Sequence, residues 1–223
     1  RTRFLSVNQE RIGRARTILN PSQRDFLDLL PLLFHANHPL LPGFVGMSAP
    51  SGLASYSPSE SALRAARRLS RSFEFKRRAT RNVDVHALYL MGSVGSVAYS
   101  RSSDFDIWVC HRDDLDAEAV EELHKKTTAI STWADNLGLE VHFFNLSADA
   151  FRAGHAEALS SESSGSAQHY LLLDEFYRTG LLLAGRYPIW WLVPPEHEDR
   201  YYEIVEEIRT KRLVHDAEYL DFG

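Results

Sequence analysis

Near the amino end, apolar positions recur at helical spacing. A basic amphipathic stretch comes first, and Pro21-Ser-Gln-Arg-Asp-Phe-Leu-Asp-Leu-Leu continues the pattern. Residues 37–59 interrupt it. Pro39, Pro42, Pro50 and Pro58, with Gly43, Gly46 and Gly52, punctuate that stretch too often for a regular element, which predicts a loop. Helical spacing resumes at Leu63, Leu69 and Phe73, where Ser57 offers an N-cap and Pro58 a first-turn residue. Residues 1–82 therefore read as a helical segment packed on the part that follows.

At Val83 the period changes. Val83-Asp-Val-His-Ala-Leu-Tyr-Leu-Met runs into Gly92 as a strand, and Phe105-Asp-Ile-Trp-Val-Cys predicts a second. A helix over about 116–136, stopped by Gly138, leads to a third strand, Leu139-Glu-Val-His-Phe-Phe. The serine-rich residues 160–166 predict a loop. Helices are predicted over 167–184 and about 196–212, on either side of Pro188-Ile-Trp-Trp-Leu-Val-Pro-Pro. Strand, strand, helix, strand is an α/β (α+β) arrangement, a mixed sheet flanked by helices, with helical segments at both ends. Residues 83–223 form its core and the helices after it, and no internal repeat is visible.

Composition narrows the classes. A chain of 223 residues with 44% hydrophobic content can bury a sizeable core. No apolar run approaches the ~20 residues of a membrane span. The single cysteine, Cys110, excludes an intrachain disulfide and a thiolate metal cluster, and a reducing cytoplasm is its natural setting. The net charge of −5 speaks against general nucleic-acid binding. Residues 64–81 are nevertheless strongly basic, either as a solvated helix face or as a surface for phosphate or a partner. The chain opens on Arg1 without a leader, so a piece of a longer protein is expected.

The chemistry concentrates in Met91-Gly-Ser-Val-Gly-Ser-Val-Ala-Tyr-Ser-Arg-Ser-Ser-Asp-Phe-Asp-Ile-Trp-Val-Cys. Asp104 and Asp106 alternate with Phe105 and Ile107, so the two carboxylates leave one strand face roughly 6–7 Å apart, with the apolar pair directed into the core. That makes the acids the open face of an otherwise buried strand. Two such charges repel unless a cation lies between them, and a hard divalent metal is the economical partner. Gly92 and Ser93 follow a strand and precede a predicted short helix through Tyr99, where backbone N–H groups and a hydroxyl meet phosphate. Glu140, on the third strand, can share a metal or accept a proton. Three acids and a Gly-Ser turn fit two-metal phosphoryl transfer, with ions about 3.5–4 Å apart.

This order, strand, Gly-Ser, Asp-x-Asp and a later acid, resembles the nucleotidyltransferase superfamily of DNA polymerase beta. The longer wording narrows it. Met91-Gly-Ser-Val-Gly-Ser, Ser102-Ser-Asp-Phe-Asp-Ile-Trp-Val-Cys-His, Gln168-His-Tyr-Leu-Leu-Leu-Asp-Glu-Phe-Tyr-Arg-Thr and His35-Ala-Asn-His-Pro-Leu-Leu-Pro-Gly together resemble the amino-terminal catalytic region of class I adenylate cyclases. The resemblance implies conversion of ATP to cyclic AMP and pyrophosphate, with a carboxy-terminal regulatory region beyond this piece. It implies that Gly92 and Ser93 hold the triphosphate and that Asp104, Asp106 and Glu140 bind magnesium, or manganese in its place.

Several residues keep two readings. Ser96 contacts phosphate or caps the short helix, and Arg178 reaches phosphate or merely pairs with Asp174 one helical turn away. Glu140 can instead pair with an arginine of the basic run, and His142, on the same strand face, can be an ordinary hydrogen-bonded histidine. His35 and His38 read as structural, and Trp190 and Trp191 as packing. Alternative activities are transfer of AMP to another acceptor, or nucleotide binding in a regulatory module. His111-Arg-Asp and Asp221-Phe-Gly imitate kinase signatures, but no glycine-rich loop and partner lysine precede them.

Overall fold

Local chemistry fixes the amino-terminal helices. In the computed structural model, which describes residues 1–76, 82–92, 104–154 and 166–223, α1 (Thr2–Ile18) is followed by α2 (Pro21–His35). Asn20 opens α2 with a capping box: its side chain accepts from the Gln23 N–H, and the Gln23 side chain accepts from the Asn20 N–H. After the predicted loop comes α3 (Glu60–Leu69), capped by Ser59, whose hydroxyl accepts from the Ala62 N–H at 3.1 Å. The cap is thus Ser59 and not Ser57. Starting there puts Glu60 in the first turn, where the helix dipole favours an acid, and turns Ala62, Ala65 and Ala66 inward. Of the basic run, the part within α3 is an outward helix side: Arg64 pairs with Glu60, and Arg68 pairs with Asp25 of α2.

The sheet is built on β1 (Val85–Met91) and β2 (Phe105–His111), an antiparallel pair. α4 (Ala117–Asp135) crosses over to β3 (Val141–Ser147), which lies parallel to β2. Asp116 caps α4 by accepting from the Ala119 N–H, and Gly138, at φ 69°, turns the chain back to the sheet. The short α5 (Ala148–Arg152) and then α6 (Ser166–Thr179) lead to β4 (Leu181–Gly185), antiparallel to β1, and the strand order is β3-β2-β1-β4. β5 (Tyr187–Pro188), α7 (Tyr201–Thr210) and β6 (Tyr219–Leu220) complete the chain, with β5 and β6 paired in parallel.

Two sequence expectations fail here. Residues 167–184 are not one helix: α6 stops at Thr179, and the chain leaves it through Gly180, where a Cβ would lie 2.7 Å from the Phe176 ring and carbonyl. The following leucines satisfy the open edge of β1 instead. The stretch at 196–212 is also shorter as α-helix, a 3-10 turn (Pro195–Arg200) preceding α7. Among the described residues no helix is long and apolar enough to cross a membrane.

Both faces of the sheet are covered. Leu88, Leu90, Phe105, Ile107 and Val141 pack against α2, α3 and α4 in one core. Tyr89, Met91, Trp108 and Cys110 face a second core formed with Phe151, Phe176 and Phe222. The second strand is therefore not open on its acid side; Trp108 stacks on Phe176 at 5.1 Å, and Phe222 meets Phe176 edge-on at 4.7 Å. Truncating Phe176 empties the middle of this cluster. Phe176→Ala is expected to lower unfolding stability by about 3–5 kcal/mol in urea titration, whereas a loss under about 1 kcal/mol would mean that the rings close over the gap.

Candidate active site

The acids escape burial because they sit where β2 begins. Asp104 precedes the strand and is exposed, while Asp106, its second residue, is half-buried. Pairing then decides their company. The Phe105 N–H donates to the Glu140 carbonyl at 2.9 Å, and Asp106 lies in register with Met91 on one side and His142 on the other.

Asp104, Glu140 and His142 each offer a ligand atom, all within 4.8 Å of one another, and His142 Nε2 is 3.3 Å from Glu140 Oε1. The Glu140 and His142 side chains are 65% and 50% exposed, open to an incoming ion or ligand. A divalent cation holds oxygen donors at about 2.0–2.6 Å, so two carboxylates and an imidazole at this spacing form a fitting donor set. Asp106 lies outside that trio and on the α6 side of the strand. Burial raises its proton affinity; His142 opposes the shift, and Asp104 and Glu140 add to it.

On that side Gly92 comes close. It has φ 75°, and a Cβ there would lie 3.4 Å from Asp106 Oδ2 and 3.9 Å from Glu175 Oε1. Its N–H donates to Thr179 Oγ at 3.2 Å, and that hydroxyl donates to the Glu175 carbonyl at 2.8 Å. What Gly92 offers a ligand is thus the space left by its missing side chain, since its N–H is engaged. Burial, and then the charge of Asp106, raise the proton affinity of Glu175.

The family model for the adenylate cyclase NT domain matches residues 1–191. The chain belongs to the adenylate cyclase N-terminal domain family. It is 38% identical to the adenylate cyclase of Salmonella typhimurium over 227 residues and 37% identical to that of Escherichia coli over 223, each comparison covering 99% of this chain. The Yersinia pestis adenylate cyclase is 34% identical over 229 residues. The chain spans only about a quarter, 26%, of the length of these relatives. A solved structure described as a toxin-antitoxin with AMP-PNP is 22% identical and covers 58% of this chain and 84% of that one; its TM-score of 0.30 is too low to inform the site.

Of the residues the sequence singled out in this adenylate cyclase domain, Asp104, Asp106, Glu140 and Gly92 gather at one end of the sheet. Arg178 is engaged elsewhere: its Nε donates to Asp174 Oδ1 at 2.9 Å, and the side chain is 74% exposed. Ser93, Ser96 and the predicted short helix through Tyr99 lie outside the described residues. Glu175 and Thr179 escaped the sequence reading. Asp174 and Glu175 are adjacent acids, and only the side of α6 that packs on the sheet tells them apart; the buried neighbour Phe176 was the available signal.

A carboxyl group with raised native proton affinity contributes stability that is present at low pH and lost as pH rises through its native value. In metal-free buffer, Asp106→Asn is therefore expected to raise the thermal midpoint at neutral pH, with the gain vanishing as pH falls through the carboxylate range. A variant less stable than its parent at neutral pH would reveal a favourable partner for the ionised group.

Proposed function

We propose that this chain carries the catalytic centre that converts ATP to 3′,5′-cyclic AMP and pyrophosphate. The observation carrying that reading is the convergence of Asp104, Glu140 and His142 beside Asp106 in an adenylate cyclase domain. The curated relatives' shared name, adenylate cyclase, supports it.

Asp104, Asp106 and Glu140 would hold magnesium or manganese, and the imidazole of His142 adds a donor that also suits softer divalent ions. Such an ion supplies Lewis acidity at the phosphates and eases deprotonation of a nearby hydroxyl. The ribose 3′ hydroxyl passes its proton to the acids beside the ion, Asp106 and Glu140. The O3′–Pα bond forms as the bond from Pα to the bridging oxygen breaks, and pyrophosphate leaves with the electron pair. Nucleophile and electrophile belong to one molecule, so the protein mainly supplies alignment and charge.

Gly92 gives the triphosphate close approach to the backbone, Ser93 and Ser96 lend hydroxyls, and Arg178 reaches the phosphates by leaving Asp174. A cytoplasmic setting fits both the substrate and the free, buried thiol of Cys110.

With ATP and magnesium and no other acceptor, the protein is expected to release cyclic AMP and pyrophosphate in equal amounts. Asp106→Asn lowers the rate about 10²–10⁴-fold, and Glu140→Gln lowers it in parallel with loss of metal affinity. Transfer of AMP to an added acceptor without any cyclic product would sink the cyclase reading.

A further inference from the structure

A cavity of about 500 Å³ opens at the other end of the sheet. The Gly52 N–H donates to the His35 carbonyl, the Ser51 N–H to Asp84 Oδ2, and Leu53 bridges to Val85, the first residue of β1. Asp106 is paired with Met91, the last residue of the same strand. At about 3.3 Å per residue, that strand sets the two ends some 20 Å apart. The cavity is therefore not an extension of the acid site, and the His35-Ala-Asn-His motif that lines it has no part in the chemistry above.

Its walls are aromatic and carry hydrogen-bonding groups. Phe73 meets the His38 ring edge-on at 5.0 Å, and Phe75 tilts against His35 at 5.8 Å. His38 Nδ1 accepts from the Leu40 N–H at 3.2 Å, so in the neutral ring Nε2 carries the proton and is a donor. Ser51, Ser72 and Lys76 add donors, and Glu74 supplies an acceptor. At the mouth, Met47 is 82% exposed and Leu40 44%, apolar surface able to cover a ring.

Behind the wall lies a buried cation. Lys126 is 1% exposed, and its Nζ touches Asn37 Oδ1 at 3.4 Å with no carboxylate partner among the described residues. The Asn37 amide is fixed in turn, donating to the Gly46 carbonyl at 2.7 Å. Burial pushes the ammonium down to about 8, as expected for a charge without a counter-ion. A buried positive charge one side chain behind a cavity wall draws anions toward that cavity.

We propose that this cavity is a second ligand site that takes a nucleoside monophosphate, its planar base against His38 and Phe75, an exocyclic amine toward Glu74, and its phosphate toward Lys76 with Lys126 behind. The volume suits a ligand of this size, and ring faces, donors, one carboxylate and the two lysines match its parts. The proposal stands independently of the cyclase reading.

Calorimetric titration with AMP in EDTA tests it, because chelation removes metal-dependent binding at the acids. One AMP per chain is expected, about tenfold weaker in Lys76→Glu, abolished by the cavity-filling Ser72→Trp, and unchanged in Asp104→Asn. Lys76 and Ser72 are exposed, so both variants keep the fold. Ribose 5-phosphate, which lacks the base, is expected to bind much more weakly. No AMP uptake in EDTA, uptake lost in Asp104→Asn but intact in Lys76→Glu, or equal binding of ribose 5-phosphate would each overturn the proposal.

Discussion

The parallel pairing of β2 with β3 brings the acids together. With the Phe105 N–H on the Glu140 carbonyl, Glu140 comes level with Asp104, and His142 falls opposite Asp106. Side chains alternate between faces, so a slip of one residue would send Glu140 and His142 to the wrong positions and leave the aspartates facing Leu139 and Val141. The register is held from outside the strands as well. Ser131 of α4 donates to the Val141 carbonyl at 2.7 Å, and Gln23 of α2 donates to the Gly138 carbonyl at 3.1 Å. The amino-terminal helices thus help to place β3 at the point where the site depends on it.

That placement gathers negative charge at an energetic cost, and the chain treats these acids differently from another half-buried carboxylate, Asp221. Asp221 is also removed from water, yet a hydrogen bond from the Tyr201 hydroxyl, the Gly223 N–H and the guanidinium groups of Arg209 and Arg152 outweigh burial and hold it below the usual carboxylate range. Among the described residues Asp106 has no such company. Among the described residues no lysine or arginine makes an ion pair with Asp104, Asp106, Glu140 or Glu175, although the chain carries 25 of them. Among the described residues the fold gives Asp221 close cationic partners and gives Asp104, Asp106, Glu140 and Glu175 none, an arrangement that fits the cation and proton roles proposed for them.

Much of this was legible because alternation is a local property. The Asp-x-Asp face, the three sheet runs and the helix stopped at Gly138 follow from spacing over a few residues. The misreadings arose where a distant surface decided. Leu181-Leu-Leu-Ala continues the helical pattern of α6 in sequence, and only the open edge of β1 makes it a strand. Ser57-Pro-Ser-Glu contains two workable caps, and the inward alanines choose the second. The acid pair looked solvent-facing because the sequence does not disclose that α6 folds back over the Trp108 side of the sheet. The same packing brings Glu175 to Gly92 and leaves Asp174 outside with Arg178.

The last turn of α6 therefore joins the aromatic core to the candidate site. Phe176 is locked among Trp108, Tyr89 and Phe222, while Glu175 and Thr179, its neighbours on the helix, reach Gly92. Gly180 must lack a side chain for the chain to leave that turn without displacing the Phe176 ring. Because packed cores deform in steps and not continuously, a shift of Phe176 would carry the Thr179 hydroxyl away from the Gly92 N–H as a unit. The space beside Asp106 is thus set by ring packing on the same face of β1 and β2, and residues that never touch a ligand determine how closely one can approach.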